Sequence, residues 1–136
     1  MNGDVTIGQK PASILIVDDV AANLQVLTGM LDDQGYVTRP VTSGKMAMLA
    51  AQNDPPDLVL LDLEMPVKDG FSTLSEIRKH PRFSRVPVMA VTAKAMLLDR
   101  DRIQAAGFDA YITKPIDITK LRERVDDLLT PKGECP

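Results

Sequence analysis

Three stretches of the chain are apolar without a break: Ile14-Leu15-Ile16-Val17, Leu58-Val59-Leu60-Leu61 and Val88-Met89-Ala90-Val91. A parallel strand with helices packed on both sides of its sheet has no polar face, so a short continuous apolar run predicts a central strand. Ser13 opens the first of these, and Val86 the last. Less regular segments at Tyr36–Val41 and Ala110–Ile112 predict two further strands. Between the strands the period changes. Leu24, Leu27 and Leu31 recur at helical spacing within Ala22–Asp33, and Gly35 follows where a left-handed C-terminal cap fits. Ser43 predicts the cap of a second helix running through Ala51, and Asp69-Gly70 a turn before a third at Phe71–Lys79. A fourth over Ala95–Ala106 stops before Gly107, and a fifth over Asp117–Leu129 carries Leu121, Val125, Leu128 and Leu129 as its inward stripe. Strand and helix thus alternate five times, which predicts an α/β, doubly wound, three-layer architecture with right-handed crossovers.

At 136 residues the chain is long enough for one domain with a real core, expected over 13–129 between flexible ends at 1–12 and 130–136. Hydrophobic residues at 44% and charged residues at 26% exclude a disordered chain, and the longest apolar run, Met46 to Ala51, is too short to cross a bilayer. Met1 to Ser13 lacks the basic and apolar regions of a secretory signal, so a cytoplasmic location without a membrane partner is expected. Cys135 is the only cysteine, which rules out an intramolecular disulfide and a cysteine-based metal cluster. A net charge of −3 gives no basic footprint for nucleic acid, leaving proteins or small anions as partners.

The candidate chemistry lies at the carboxyl ends of the predicted strands, where open doubly wound sheets bind their ligands. The first strand runs into Asp18-Asp19, the third into Asp62, the fourth into Thr92 and the fifth into Thr113-Lys114-Pro115. A single aspartate after a strand is ordinarily a helix cap or turn residue. Five polar groups from four strands in one layer form a site. Three carboxylates crowded together repel one another unless a cation sits among them, and all-oxygen ligation favours Mg²⁺ or another hard divalent ion.

These residues, in Ile14-Leu15-Ile16-Val17-Asp18-Asp19, in Leu60 to Gly70 around Asp62-Leu63-Glu64-Met65-Pro66, in Val91-Thr92-Ala93 and in Tyr111-Ile112-Thr113-Lys114-Pro115, resemble the response-regulator receiver family of two-component and phosphorelay signalling. The resemblance covers Ile14 to Leu129 and implies the flavodoxin-like (βα)₅ fold with sheet order 2-1-3-4-5. It implies that Asp62 accepts a phosphoryl group from a histidine kinase or a histidine phosphotransfer protein. Asp19 would be a direct Mg²⁺ ligand and Asp18 an acidic partner acting largely through metal-bound water, while the backbone carbonyl of Glu64 would complete the metal set. Lys114 would pair with a phosphoryl oxygen, held by a cis peptide before Pro115, and Thr92 would bond another oxygen after phosphorylation. Thr92 and Tyr111 would form the switch. It would report to the face made by the fourth helix, fifth strand and fifth helix, which carries Arg100, Arg102, Lys120, Arg122 and Arg124 among Asp99, Asp101 and Glu123. Those charges fit a solvated face as well as a docking code for a downstream target protein.

The chemistry suits these residue types. A carboxylate needs no general base to attack phosphorus, but two anions must meet, so Mg²⁺ and Lys114 offset the repulsion and stabilise a loose, in-line transition state. The reading is of a signalling switch, monomeric or weakly dimeric, rather than an enzyme with turnover. Two other classes share the fold. A nucleotide-binding reading lacks its loops, because Gly44-Lys45 has no glycine five positions earlier and no G-x-G-x-x-G occurs. A small aspartate-nucleophile phosphatase would place an acid two positions after the nucleophile, as Glu64 is, yet Asp18-Asp19 on another strand and Lys114-Pro115 favour the receiver. A phosphorylation-independent interaction domain would not need the full acidic set. His80 is a loop residue. With no output module following the fifth helix, the chain reads as a stand-alone regulator or a receiver from a longer protein. Glu64 and Lys94 are expected to border the phosphoryl site, where an ion pair between them would shield the group from water.

Overall fold

The computed structural model describes residues 11–65, 69–93 and 97–129, so the expected flexible ends apart from Pro11 and Ala12, together with Pro66-Val67-Lys68, Lys94 and the first two residues of the expected fourth helix, lie outside the described residues. Five strands and five helices alternate: β1 Ser13–Val17, α1 Ala21–Asp32, β2 Val37–Val41, α2 Gly44–Asn53, β3 Leu58–Asp62, α3 Gly70–Lys79, β4 Val88–Thr92, α4 Leu97–Ala106, β5 Ala110–Thr113 and α5 Ile118–Leu129. The sheet is wholly parallel in the order β2-β1-β3-β4-β5. Pro40 sits in the edge strand β2, where a missing backbone donor is tolerated.

Alternation along the strands divides the core into two layers. Ile14, Ile16, Leu58, Leu60, Met89, Val91 and Ile112 face α1 and α5, which bury Leu24, Leu27, Leu31, Leu121 and Val125 against them. Leu15, Val17, Val59, Leu61, Val88 and Ala90 face α2, α3 and α4, which contribute Ala47, Ala51, Leu74, Ile77 and Ile103. At about 25 cal/mol per Å² of apolar surface removed from water, these two layers are the main source of stability.

Local chemistry sets the element ends. Ser43 caps α2 by accepting from Met46 N–H at 3.1 Å, and Gly35 and Gly107 adopt φ of 91° and 105° where helices hand over to strands. Asp69-Gly70, expected as a free turn, is the start of α3: the Asp69 carboxylate accepts from Ser72 N–H at 2.9 Å. Asp117 likewise stands outside α5 and accepts from Thr119 N–H at 2.8 Å.

Two side-chain ties hold elements together. Arg78 of α3 donates to the Ser84, Val86 and Gly107 carbonyls and to the Asp109 carboxylate, fixing both ends of the segment around β4 and α4. Tyr36, ahead of β2, donates its hydroxyl proton to Asp126 of α5 at 2.9 Å. Burial and that acidic partner push the Tyr36 phenol up to about 12. No helix among the described residues is long and apolar enough to cross a membrane.

Candidate functional site at the carboxyl edge of the sheet

The site is assembled by strand parity. Asp62 is the last residue of β3 and follows Leu60 in the alternation, Asp18 follows Ile16 past the end of β1, and Lys114 follows Ile112 past β5. Two backbone bonds extend the ladder to these positions: Asp18 N–H donates to Val41 O at 3.2 Å and Lys114 N–H to Thr92 O at 2.9 Å. The peptide between Lys114 and Pro115 is cis. Gly70 closes one side, because a Cβ there would lie 2.7 Å from the Asp62 carbonyl oxygen and 2.7 Å from a Leu63 methyl.

Asp18 and Asp62 are buried, at 1% and 2% exposure, while Asp19 is exposed at the rim. One carboxylate oxygen from each of the three lies within 4.8 Å of the others. The Lys114 ammonium stands 3.5 Å from Asp18 Oδ2 and 3.5 Å from Asp62 Oδ1. These are long contacts between a half-buried cation and buried carboxylates, so Lys114 neutralises the pair without binding tightly to either. Asp18 Oδ1 accepts from Val20 N–H at 2.9 Å, which shapes the entry to α1, whereas buried Oδ2 has no hydrogen-bond donor. A buried carboxylate oxygen without a hydrogen bond, gathered with two other carboxylates and with an ammonium no nearer than 3.5 Å, is what a hard cation would satisfy, so the residues fit a divalent metal.

Burial raises the affinity of Asp62 for a proton, and the charge of Asp18 adds to it. The Glu64 N–H, donating to Asp62 Oδ1 at 3.1 Å, and the Lys114 ammonium act in the opposite direction. The net shift is upward.

Thr92, the last residue of β4, is buried and lies on the opposite parity, with Ala90 and Tyr111, toward α2, α3 and α4. Tyr111 is half-buried against that layer, and its carbonyl accepts from Arg124 Nε of α5 at 2.8 Å. Beside it a groove of about 580 Å³ runs between α4, β5 and α5, with Arg100, Tyr111, Arg124 and Asp127 on its walls.

The spacing of the sequence did not reveal what the Glu64 side chain does. Its carboxylate turns toward the end of β4, where the Thr92 hydroxyl donates to one oxygen and the Ala93 N–H donates to the other at 3.2 Å. The expected partner, Lys94, lies outside the described residues. Only the position of Glu64, two residues after Asp62, hinted that it reaches the neighbouring strand.

The chain is 33% identical over 119 residues to the polar-differentiation response regulator DivK of Brucella anthropi, covering 88% of this chain and 97% of that protein. It is similar in structure to the receiver domain of the sensor histidine kinase PA1611 from Pseudomonas aeruginosa, with a TM-score of 0.81, 33% identity, and coverage of 88% and 98%; that structure has a magnesium ion coordinated in its active-site cleft. The chemotaxis protein CheY4 of Vibrio cholerae gives a TM-score of 0.83 at 25% identity, covering 88% of this chain and all (100%) of the other. The family model of the response regulator receiver domain matches residues 14–126, from the first strand into the last helix, and this chain belongs to that family, the signal-receiving switch of two-component systems.

Proposed function

We propose that Asp62 accepts a phosphoryl group in a Mg²⁺-dependent transfer from a phosphohistidine on a histidine kinase or histidine phosphotransfer protein. The observation that carries this reading is the buried Asp62 carboxylate with Lys114 Nζ 3.5 Å away and the oxygens of Asp18 and Asp19 gathered beside it. Asp62 attacks phosphorus, the phosphorus–nitrogen bond breaks, and the imidazole leaves as the neutral donor once it has gained a proton. An acyl phosphate on Asp62 remains. Asp19, Asp62 and the Glu64 carbonyl would hold Mg²⁺ directly, and Asp18 largely through water. The ion, when bound, supplies positive charge to the phosphoryl oxygens. Lys114 carries out the same neutralisation from the β5 side. Thr92 then bonds a phosphoryl oxygen, and Tyr111 relays that movement to the α4-β5-α5 groove, where a downstream protein docks.

The test is incubation of the full chain with phosphoramidate and Mg²⁺, followed by mass spectrometry. Wild type should gain one phosphoryl group, located at Asp62, and chelation of the metal should prevent it. Asp62→Asn should gain none while keeping its circular dichroism spectrum, because an amide is not a nucleophile toward phosphorus. Labelling of the Asn variant at the wild-type rate would remove Asp62 from the mechanism. Steady release of phosphate from a small phosphomonoester would instead make the protein a phosphatase.

A further inference from the structure

The transfer set out above uses the backbone of Glu64 and leaves its side chain without a task. That carboxylate is nonetheless gripped at both oxygens, by the Thr92 hydroxyl and by the Ala93 N–H. A hydroxyl and an adjacent backbone amide converging on two oxygens of one anion form a small oxyanion cradle, and nothing in it is specific to carboxylate over phosphoryl. The cradle stands next to the acceptor along the sheet, since Thr92 and Ala93 directly follow Val91, the register partner of Asp62, and Glu64 itself is tied to Asp62 by its backbone N–H.

We infer that the Glu64 carboxylate is a built-in substitute for the phosphoryl group: it occupies the Thr92 hydroxyl and the Ala93 amide in the unphosphorylated protein and must leave before a phosphoryl group on Asp62 can use them. This inference rests on the phosphoacceptor reading of Asp62. The two anions exclude each other for two reasons. A hydroxyl has one proton and cannot donate it to both, and a carboxylate beside a phosphoryl dianion adds a charge repulsion. Glu64 is therefore a positioning residue that acts through Thr92. It stabilises the resting arrangement, so charging becomes slower and the uncharged protein keeps Thr92 away from the acceptor.

The displaced side chain has somewhere to go. A cavity of about 150 Å³ bordered by both Glu64 and Thr92 reaches Arg102 of α4. The Arg102 guanidinium lies over the Phe71 ring, 4.2 Å from its centroid, and offers a cation to a carboxylate that leaves the cradle. Charging at Asp62 would in this way exchange a Glu64 contact with β4 for one with α4.

The test compares wild type, Glu64→Gln and Glu64→Ala, each with Thr92 intact and in a Thr92→Ala background. It follows phosphoryl incorporation from phosphoramidate with Mg²⁺ and the Ala93 amide resonance of the uncharged proteins. Glutamine keeps the size but loses the charge and offers one acceptor oxygen in place of two, which weakens its hold on the two donors. Both single variants should charge about 5- to 10-fold faster than wild type, tenfold corresponding to about 1.4 kcal/mol, and the Ala93 amide proton should move upfield. In the Thr92→Ala background the gain from changing Glu64 should fall below half, as expected when two residues act through one contact. A gain undiminished by loss of the hydroxyl would make the effect one of charge at the pocket mouth and overturn the inference. So would an unmoved Ala93 resonance, or unchanged charging in both single variants. Those results leave the acceptor assignment standing, whereas a wild-type protein that gains no phosphoryl group overturns that assignment and this inference together.

Discussion

Asp62 is held in an unfavourable ionisation state by the fold that positions it. Burial and the neighbouring Asp18 raise its pKa, and Lys114 at 3.5 Å offsets only part of that cost. A carboxylate that binds a proton more tightly folded than unfolded destabilises the native state wherever it is ionised in both. The penalty is full above the raised folded value and disappears as pH falls through it, where the native state takes up the proton. Asp62→Asn should accordingly melt a few °C above wild type at neutral pH, the shift that about 1 kcal/mol produces in a domain of this size. The difference should shrink toward pH 4, measured by thermal denaturation without metal. Millimolar Mg²⁺ should raise the wild-type melting temperature and leave the Asn variant nearly unmoved, because a ligand that binds only the native state stabilises it by mass action. An Asn variant less stable than wild type at every pH would mean that the Lys114 ion pair outweighs desolvation. Asp18, Asp62, Thr92 and Lys114 were legible in the sequence because a residue that ends an apolar strand has its place fixed by the strand. The Glu64 contact was not legible, since the torsions of one side chain beyond β3 decide it and no periodicity constrains them.

Among the elements, α3 is the one pinned against the site. Gly70 is its first residue, and there is no room for a methyl group between it and the Asp62 carbonyl. Gly70→Ala should cost about 1–3 kcal/mol by forcing the Asp62-Leu63 backbone aside, and it should slow phosphoryl incorporation as well. Gly29, in the middle of α1, has open space around its Cβ position. Gly29→Ala should therefore stabilise by up to ~1 kcal/mol through helix propensity alone. Urea denaturation of the two variants checks both signs, and equal destabilisation would rule out the crowding argument. The helices themselves were readable from Leu24-Leu27-Leu31 and from Leu121-Val125, whose spacing the two core layers use directly. Their first residues were less so. Asp69 and Asp117 belong by composition to either a turn or a cap, and only the bonds to Ser72 and Thr119 place the helix starts at Gly70 and Ile118.

At the scale of the molecule, the proposed acceptor and the Thr92–Tyr111 pair lie on opposite faces of one sheet. Asp18, Asp62 and Lys114 follow the α1/α5 parity, while Thr92 and Tyr111 follow the α2/α3/α4 parity. Under the proposed function, Thr92 is the residue through which an event on one side would be felt on the other. Thr92→Ala should still take a phosphoryl group on Asp62, with incorporation within a few-fold of wild type, but lose most of the phosphorylation-dependent chemical-shift change in the α4-β5-α5 groove. A full response in that variant would route the signal elsewhere. The parallel, doubly wound sheet was readable from five alternations, and its order 2-1-3-4-5 from the resemblance to the receiver family, whereas the groove was not, because it forms from the spacing of two helices that no local pattern encodes. The tie from Tyr36 to Asp126 gives that groove an asymmetry. It anchors α5 to the chain entering the edge strand β2, and Arg124 fastens the same helix to Tyr111's carbonyl. Among described side chains, α4 is held to the core by Ile103 and to α3 by Arg102 over Phe71. Under the proposed function, a protein docking in this groove would meet in α5 a wall tied both to the edge of the sheet and to β5, a fixed reference against which a change at Tyr111 can be read.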